Sequence, residues 1–450
     1  LQTQPFQLSP EHIERLYDCA MRDWRHVNPM MFGSLVEQCF SDAQRLAGGI
    51  EFTREGDIMR IIEPLIVEHF QAMLDEIMAL PGGHHIVCRQ RCLDLLQQLY
   101  EFTILEPACG CGNFLFIAYR ELKRIESEIF QILAGLPAQY GSIPMDRLNA
   151  GNLIGYEVNS WSAWVARMVM AIAHCESQLQ YGYNALPLQN EDNSAQIYHV
   201  DALLDDGEIR EWHEADVIIG NPPFGGNTLM AERGVDVETL HAAFEDLAPS
   251  ADINFVCYWF LLAQRALAEG RCNAFGLIST RAIIQSQNRV VLAEAINNQD
   301  LRIGLAYRAR TWEGDAGEAI SIICMDSGGD EPWIRSTRLA AERDENQLQE
   351  VEEINECLLD WNIMELNGTD SPLMGQNNLA FQGPKCTLSE LVISNELAQE
   401  MLAANNGPDG PDNADVVVPF VPNWRPRGFI QECGYNANTR DYGWIINFRK

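Results

Sequence analysis

The stretch ILEPACGCGNFLF, residues Ile104–Phe116, decides the fold of this chain. An apolar run ends in Glu106, a turn of small residues follows, and an amphipathic segment begins at Gly112. Glycines at 110 and 112 let the backbone approach a ligand closely, and the first N–H groups of a helix point towards that ligand. A dinucleotide site is the alternative, but the third glycine of the dinucleotide fingerprint is absent. The stretch therefore predicts a strand, a ligand-binding turn and a helix.

Short apolar runs of the same kind recur along the next two hundred or so residues and alternate with longer amphipathic stretches. The predicted strands are Thr103–Leu105, Asn152–Tyr156, Gln196–Val200, Val217–Ile219, Ala274–Ser279, Ile303–Tyr307 and Ala319–Met325. Helices fit between most of them, notably Gly112–Phe130, Ser160–Ala173 and Asn254–Ala268. This alternation predicts an α/β fold with a mostly parallel, doubly wound sheet. A loop and not a helix joins the last two strands, which allows an antiparallel last strand.

Polar residues stand where three of these strands end. Glu157 ends the second strand, and Asp201 follows the third; taken alone, each acid could equally be an ordinary solvated residue. The segment DVIIGNPPFGG, Asp216–Gly226, places Asn221-Pro222-Pro223-Phe224 at the edge where open α/β sheets bind ligands. The two prolines fix φ and remove two N–H donors, so the loop is rigid and rich in acceptors. Such a loop suits a site that receives hydrogen bonds from an amino group, although a rigid turn ending a strand is the structural alternative.

EPACGCGNF and NPPF, taken together, resemble the cofactor loop and the catalytic motif of amino-methylating nucleic-acid methyltransferases, in the order found in the gamma group of DNA adenine-N6 methyltransferases. The resemblance implies a Rossmann-like class I methyltransferase fold with S-adenosylmethionine as cofactor. It implies that the methionine part of the cofactor is surrounded by Glu106, Pro107, Ala108, Cys109, Gly110, Gly112, Asn113 and Phe114. Glu157 would hold the ribose hydroxyls, Asp201 the adenine amino group, and Asn221 would also contact the cofactor. Thr53, in the upstream segment EFTREG, would lie against the methionyl group.

The resemblance narrows to the MmeI-like enzymes of type IIL and type IIG restriction-modification through Phe32–Ser34 and Ala118–Leu122. Those enzymes fuse a nuclease, a helical connector, the methyltransferase and a target-recognition domain, and Phe52 stands where they often carry tyrosine. Neither a nuclease motif nor a recognition domain is recognisable here. We expect a helical connector over 1–100, the catalytic domain over 101–330 and an irregular extension leading towards a recognition domain over 331–450. Within that extension, the acidic stretch Ala340–Glu356 is expected to be helical.

The resemblance also implies a mechanism that needs neither a metal nor a covalent intermediate. The Asn221 side-chain oxygen and the Pro222 carbonyl would accept hydrogen bonds from the adenine amino group, within the rigid loop that includes Pro223. Phe224 would stack on a flipped base. Since the sulfonium methyl is already activated, positioning would supply most of the acceleration. Cys109 and Cys111 lie in the cofactor loop, and no Pro-Cys motif points to cytosine-C5 chemistry.

Charge limits how this chain could contact DNA. Acidic residues outnumber basic ones 64 to 31, which gives a net charge of −33. Because phosphate neutralisation supplies most non-specific affinity, we expect a missing recognition domain or a partner subunit to make most of the DNA contact.

The thirteen cysteines lack disulfide or zinc spacing and no run is long enough to span a membrane, so we expect a cytoplasmic protein with reduced thiols. The start LQTQPFQLSP, with neither Met nor leader, indicates an internal fragment.

Two other functions stay open from the sequence alone. One is methylation of RNA or of a protein glutamine, because NPP-aromatic loops serve those substrates as well. The other is a catalytically idle acidic scaffold in a phage-defence complex.

Overall fold

The computed structural model describes most of the first 360 residues and three short segments beyond them. The described residues are 9–21, 31, 53–81, 83–140, 148–180, 194–232, 234–248, 250, 252–311, 319–340, 347–360, 392–393, 417–420 and 443–446. The chain forms two compact units, Leu1–Asn367 and Gly368–Lys450. In the second unit, Val392–Ile393, Gly443–Ile446 and Val417–Phe420 form an antiparallel sheet with the Gly443–Ile446 strand in the middle.

The first unit alternates helices and strands along most of its length. Its described helices are α1 Pro10–Ala20, α2 Glu55–Ile62, α3 Glu68–Met78, α4 His85–Glu101, α5 Asn113–Ala134, α6 Ser160–Gln180, α7 Asn227–Glu232, α8 Val237–Ala243, α9 Val256–Ala268 and α10 Ser286–Asn298, with a π-helical turn, Glu63–Val67, joining α2 to α3. Its described strands are β1 Ile104–Glu106, β2 Leu153–Glu157, β3 Gln196–His199, β4 Leu204–Asp205, β5 Glu208–Ile209, β6 Val217–Gly220, β7 Ala274–Thr280, β8 Arg302–Thr311, β9 Ala319–Asp326, β10 Arg338–Ala340 and β11 Leu348–Glu350. All seven predicted strands and the three predicted helices are present.

Nine of these strands form one sheet, in the order β11-β10-β8-β9-β7-β6-β1-β2-β3. From β7 to β3 all neighbours are parallel, whereas β9 runs antiparallel to both β7 and β8. The predicted α/β fold with an antiparallel last strand is therefore confirmed. After β1 the chain adds β2 and β3 on one side of the sheet, and after β6 it adds β7 to β11 on the other side. The strand order therefore reverses between β1 and β6. Ligands of such sheets bind beyond the carboxyl ends of the strands at this point.

The strands beside the reversal point are buried along their whole length. Every residue of β1 and β6 is buried, which explains why both read as continuous apolar runs and not as an alternating pattern. Asp216, just before β6, accepts hydrogen bonds from the backbone N and from Oγ1 of Thr103, at 2.8 and 2.9 Å. These bonds tie the amino ends of β1 and β6 to each other, at the end of the sheet opposite the NPPF loop.

The helices before β1 pack closely against the sheet. A Cβ built on Gly276 of β7 would lie 2.6 Å from Cγ2 of Ile61 and 2.9 Å from Cδ1 of Leu65, so only glycine allows this approach. Trp333 Nε1 donates to the Leu65 carbonyl at 2.9 Å. The helical character predicted for the N-terminal region is confirmed for the described residues 10–20, 55–78 and 85–101. The side chain of Ser9 accepts from the backbone N of His12, as expected for an N-cap.

The prediction of a helix over Ala340–Glu356 is wrong. β10 ends at Ala340, and Leu348–Glu350 forms β11, which pairs antiparallel with β10 as the outermost strand of the sheet. An edge strand exposes much of its surface to water, so its charged residues resemble those of a solvated helix. Asn355 is fully buried, and its Oδ1 accepts from the backbone N of Cys357 at 2.8 Å, which closes a turn where a helix was expected.

Membrane-spanning helices, disulfides and metal sites are all absent from the described residues. No helix in the described part of the chain is long and apolar enough to cross a membrane. The ten cysteines within it are all free, and no group of His, Cys, Asp and Glu side chains there could hold a metal ion. Two features used in the family comparison lie outside the described residues: the segment Phe32–Ser34, which resembles the family, and Phe52, which departs from it.

Candidate active site

A cavity of about 340 Å³ opens at the carboxyl ends of β1, β2 and β6. It is lined by twelve of the fifteen residues that the sequence singled out: Thr53, Glu106, Pro107, Ala108, Cys109, Gly110, Asn113, Phe114, Glu157, Asp201, Asn221 and Pro223. Gly112, Pro222 and Phe224 do not line it. Pro222 is buried, and Phe224 is only 8% exposed. The structure thus brings the glycine turn, both strand-end acids and the NPPF loop to one place.

The glycine turn places two glycines in the left-handed backbone region for different reasons. Gly112 has φ +85°, and a Cβ there would lie 3.3 Å from Cβ of Ala166 on α6. Gly110 has φ +52°, and a Cβ there would meet nothing within 4 Å. Gly112 is therefore required for helix packing, whereas the space beside Gly110, which lines the cavity, is open to a ligand.

Glu157 joins the glycine turn to the end of β2. One of its carboxylate oxygens accepts from the backbone N of Gly110 at 2.9 Å, and the other accepts from that of Asn159 at 2.7 Å. Burial raises the pKa of Glu157, while these backbone N–H groups oppose the shift by stabilising the charge. The carboxylate is thus held in a fixed orientation at the cavity wall.

Glu106, the last residue of β1, is a buried acid with unused hydrogen-bonding capacity. Its side chain is 2% exposed, and its Oε2 has no hydrogen-bond partner among the described residues. Burial raises the pKa of Glu106 well above the usual value, and the charge of Glu157 raises it further, against a hydrogen bond from the Leu115 backbone. A bound cation would stabilise the ionised form of Glu106, so this end of the cavity suits a positively charged ligand.

Asp201 follows β3 with its carboxylate exposed to solvent. Its Oδ1 accepts from the backbone N–H groups of Leu203 at 2.8 Å and Leu204 at 3.3 Å, which fixes the turn after the strand. The apolar side chains of Val200 and Leu203 line the cavity beside it. The acid and its apolar neighbours could accept the edge and the face of a heterocyclic ring.

Asn221 presents the most distinctive polar group of the cavity. Its Nδ2 donates to Oγ1 of Thr53 at 2.9 Å, and its Oδ1 is buried without a partner among the described residues. A buried amide oxygen costs free energy unless it accepts a hydrogen bond, so this atom is a ready acceptor for a ligand donor. The NPPF loop thus offers an acceptor on the same cavity that the glycine turn borders.

Several cavity residues had no signal in the sequence. Phe255 and Trp259 line the wall next to the glycine turn, with ring centroids 4.9 Å apart, and Trp259 Nε1 donates to the Pro107 carbonyl at 3.0 Å. Both lie in or beside a helix predicted from its apolar pattern, which does not distinguish a cavity wall from the core. Ser162 of α6 also lines the cavity, is 1% exposed, and has a hydroxyl oxygen with no partner among the described residues.

The residues present fit S-adenosylmethionine. The cofactor carries a sulfonium and an ammonium group, which the buried acid Glu106 would complement, and the space beside Gly110 is open to its chain. Unpartnered oxygens of Asn113 and Ser162 offer further acceptors on the cavity wall. The sheet order, the glycine turn and these acids together define a class: the S-adenosylmethionine-dependent methyltransferases of Rossmann-like fold, as the sequence predicted.

Within that class, the chain belongs to the family described as MmeI, DNA-methyltransferase domain, whose model matches residues 85–331. DNA methyltransferase A of Bacillus subtilis (strain 168) is 24% identical over 340 residues, which are 72% of this chain and 36% of that relative. The solved structure of the type IIL restriction-modification enzyme MmeI in complex with DNA matches with a TM-score of 0.68 and 21% identity, over 98% of this chain and 57% of that one. The predicted family is therefore confirmed. The chain spans about a third of the curated relative and just over half of the solved structure.

Proposed function

We propose that this chain transfers the methyl group of S-adenosylmethionine to N6 of adenine in DNA, as part of a restriction-modification system. The observation that carries the proposal is the Oδ1 of Asn221, which is buried on the cavity that the glycine turn borders and has no partner among the described residues. A methyltransferase that acts on an exocyclic amine needs an acceptor for the amine protons next to the methyl donor. Family membership and the DNA-bound structure of the relative support DNA as the substrate.

The family resemblance supplies a role for each cofactor residue, and most of these residues line the cavity. Glu106 and the turn Pro107–Phe114 would surround the methionine part, Glu157 would accept the ribose hydroxyls, and Asp201 would accept the adenine amino group. When bound, the cofactor would supply an activated methyl group. The chain's own contribution is to bind and orient, which supplies most of the acceleration for a donor that is already activated.

Asn221 would act on the target amine. The amino nitrogen of adenine is conjugated with the ring and is a poor nucleophile. Hydrogen bonds from its N–H groups to Asn221 Oδ1 and to the Pro222 carbonyl favour a pyramidal nitrogen with a free lone pair. Phe224, which follows in the same loop, would contact the flipped base, although its ring is largely buried in this structure and does not line the cavity.

DNA contact would depend on more than this surface. The net charge of −33 opposes approach to a polyanion, so we propose that a recognition domain or a partner subunit supplies most of the phosphate contacts.

Domain limits at 1–100, 101–330 and 331–450 remain a prediction. Because the proposed substrate is genomic DNA, we also propose a cytoplasmic location.

Product analysis tests the proposed substrate and the methylated atom. The complete protein is incubated with isotope-labelled S-adenosylmethionine and, separately, with duplex DNA, total RNA and a protein extract, and the products are digested and separated by mass. Label in N6-methyladenine from DNA is the expected result. Label in RNA or in glutamine would instead support the other substrate classes. Cofactor binding without transfer to any of them would support a non-catalytic scaffold.

A further inference from the structure

Thr53 reaches the cavity from outside the region that the family model matches. It precedes α2, is 5% exposed and lines the cavity, whereas the family match begins at residue 85. Its hydroxyl contacts Asn221, which lies 168 residues later in the chain. The helical segment before β1 therefore contributes a side chain directly to the candidate active site.

The hydrogen bond between these two residues has a directional consequence. Asn221 Nδ2 donates to Thr53 Oγ1 at 2.9 Å, and this leaves Oδ1 as the unpartnered atom of the amide. A carboxamide can rotate so that its oxygen and nitrogen exchange places, and only one orientation presents an acceptor to an incoming amine. By accepting from Nδ2, Thr53 Oγ1 holds the amide in the orientation that leaves Oδ1 for a ligand donor.

We propose that Thr53 is a positioning residue that holds the Asn221 amide with Oδ1 available to the target amine. This inference rests on the proposed function of Asn221 and adds a task for the helical segment, which the sequence resemblance had assigned only to contact with the methionyl group. The segment acts through Asn221 and not as a ligand of the cofactor.

The segment is held firmly enough for such a task. The close approach at Gly276 fixes Ile61 and Leu65 over the sheet. Arg120 of α5 bonds Glu55, two residues after Thr53, at 2.6 Å. A second anchor is the double hydrogen bond from Arg338 to the Glu68 carboxylate, at 2.6 and 2.7 Å. Thr53, which precedes this docked helix, therefore has a defined position relative to the NPPF loop.

The test compares Thr53→Val, which keeps the shape and removes the hydroxyl, with Thr53→Ser, which keeps the hydroxyl. In the complete protein, Thr53→Val is expected to lower the single-turnover rate of methyl transfer about tenfold, as loss of a neutral hydrogen bond would. Its Kd for S-adenosylmethionine should stay unchanged, and Thr53→Ser should restore most of the rate. Thr103→Val, which removes a comparable hydroxyl bond at the opposite end of β1, is the matched control and should keep the normal rate.

Two outcomes would overturn the inference while leaving the proposed function intact. The first is a raised Kd for S-adenosylmethionine in Thr53→Val with a normal rate at saturating cofactor, because Thr53 would then be a cofactor ligand. The second is that the double variant Thr53→Val with Asn221→Ala is slower than Asn221→Ala alone, because the two residues would then act independently. If the wild-type protein transfers no methyl group, the proposed function fails, and neutron crystal structures, which distinguish the amide nitrogen from the oxygen, decide the inference: Asn221 should lose its single amide orientation in Thr53→Val and keep it in Thr53→Ser. An unchanged orientation in Thr53→Val would contradict it.

Discussion

Replacing each of the two glycines of the turn by alanine should separate cofactor binding from packing. Both have positive φ, so alanine at either position should cost about 1–2 kcal/mol in backbone strain. At Gly110 nothing lies within 4 Å of the new Cβ, so strain is the whole cost to the free protein. At Gly112 the new Cβ meets Cβ and Cα of Ala166 at 3.3 and 3.4 Å, and this overpacking should add roughly 1–3 kcal/mol.

Ligand binding should show the opposite order. The methyl group of Gly110→Ala would occupy the open space beside residue 110, which we expect the cofactor to fill. We expect its Kd for S-adenosylmethionine to rise by at least about tenfold, a cost of roughly 1.4 kcal/mol. Gly110→Val should abolish binding. Gly112→Ala should keep measurable binding wherever it remains folded.

Thermal melting with and without S-adenosylmethionine measures both effects, because a ligand that binds the native state raises Tm. Gly112→Ala should melt well below Gly110→Ala without ligand, and only Gly110→Ala should lose the ligand-induced rise in Tm. Calorimetry on the same variants gives Kd directly. Wild-type affinity in Gly110→Ala would show that the space beside this glycine is not the cofactor site. Equal melting temperatures for the two variants without ligand would refute the packing role of Gly112.

Three further predictions concern charge and the cavity wall. Burial raises the pKa of Glu106 and a bound cation would lower it again, so affinity for S-adenosylmethionine should rise with pH up to the pKa that Glu106 has in the free protein. In calorimetry across pH, Glu106→Gln should remove most of this dependence. An unchanged dependence on pH would argue against a cation beside Glu106. Trp259→Phe leaves the buried Pro107 carbonyl without its donor and should cost about 1–3 kcal/mol of stability in denaturant titration; a smaller loss would mean that this bond does not support the turn. The 450 residues alone should bind non-specific duplex DNA weakly in gel-shift titration at about 0.15 M salt, and submicromolar affinity would show that the DNA-binding surface is already complete.

The sequence predicted the sheet and the strand-end residues for a physical reason. Strands that are buried on both faces have continuous apolar sequences, which is why the strand Val217–Gly220 could be predicted. Parallel strands also bring their carboxyl ends to one edge of the sheet. Glu106, Glu157 and Asn221 could therefore be expected to lie together. The resemblance supplied their roles, which the geometry accommodates and the experiments above test.

Other features could not be predicted from local patterns. The bond between Thr53 and Asn221 depends on how a distant helix docks over Gly276, and no pattern within either segment encodes that contact. Phe255 and Trp259 have the same apolar character whether they face a cavity or the core. The edge strand Leu348–Glu350 is short and rich in polar residues, so its sequence resembles a solvated helix until its pairing partner is known.

The role of Asn221 is tested most directly by measuring cofactor binding and methyl transfer in one variant. Asn221→Ala in the complete protein should bind S-adenosylmethionine with nearly unchanged Kd, while its single-turnover rate on DNA falls by roughly a hundredfold or more, as loss of an oriented polar group in an active site would cause. Asn273→Ala, which removes an amide that donates to Asp216 at the amino end of β7, is the matched control and should be normal in both measurements. Near-normal turnover in Asn221→Ala would contradict the account, because the unpartnered oxygen on the cavity would then have no part in the reaction.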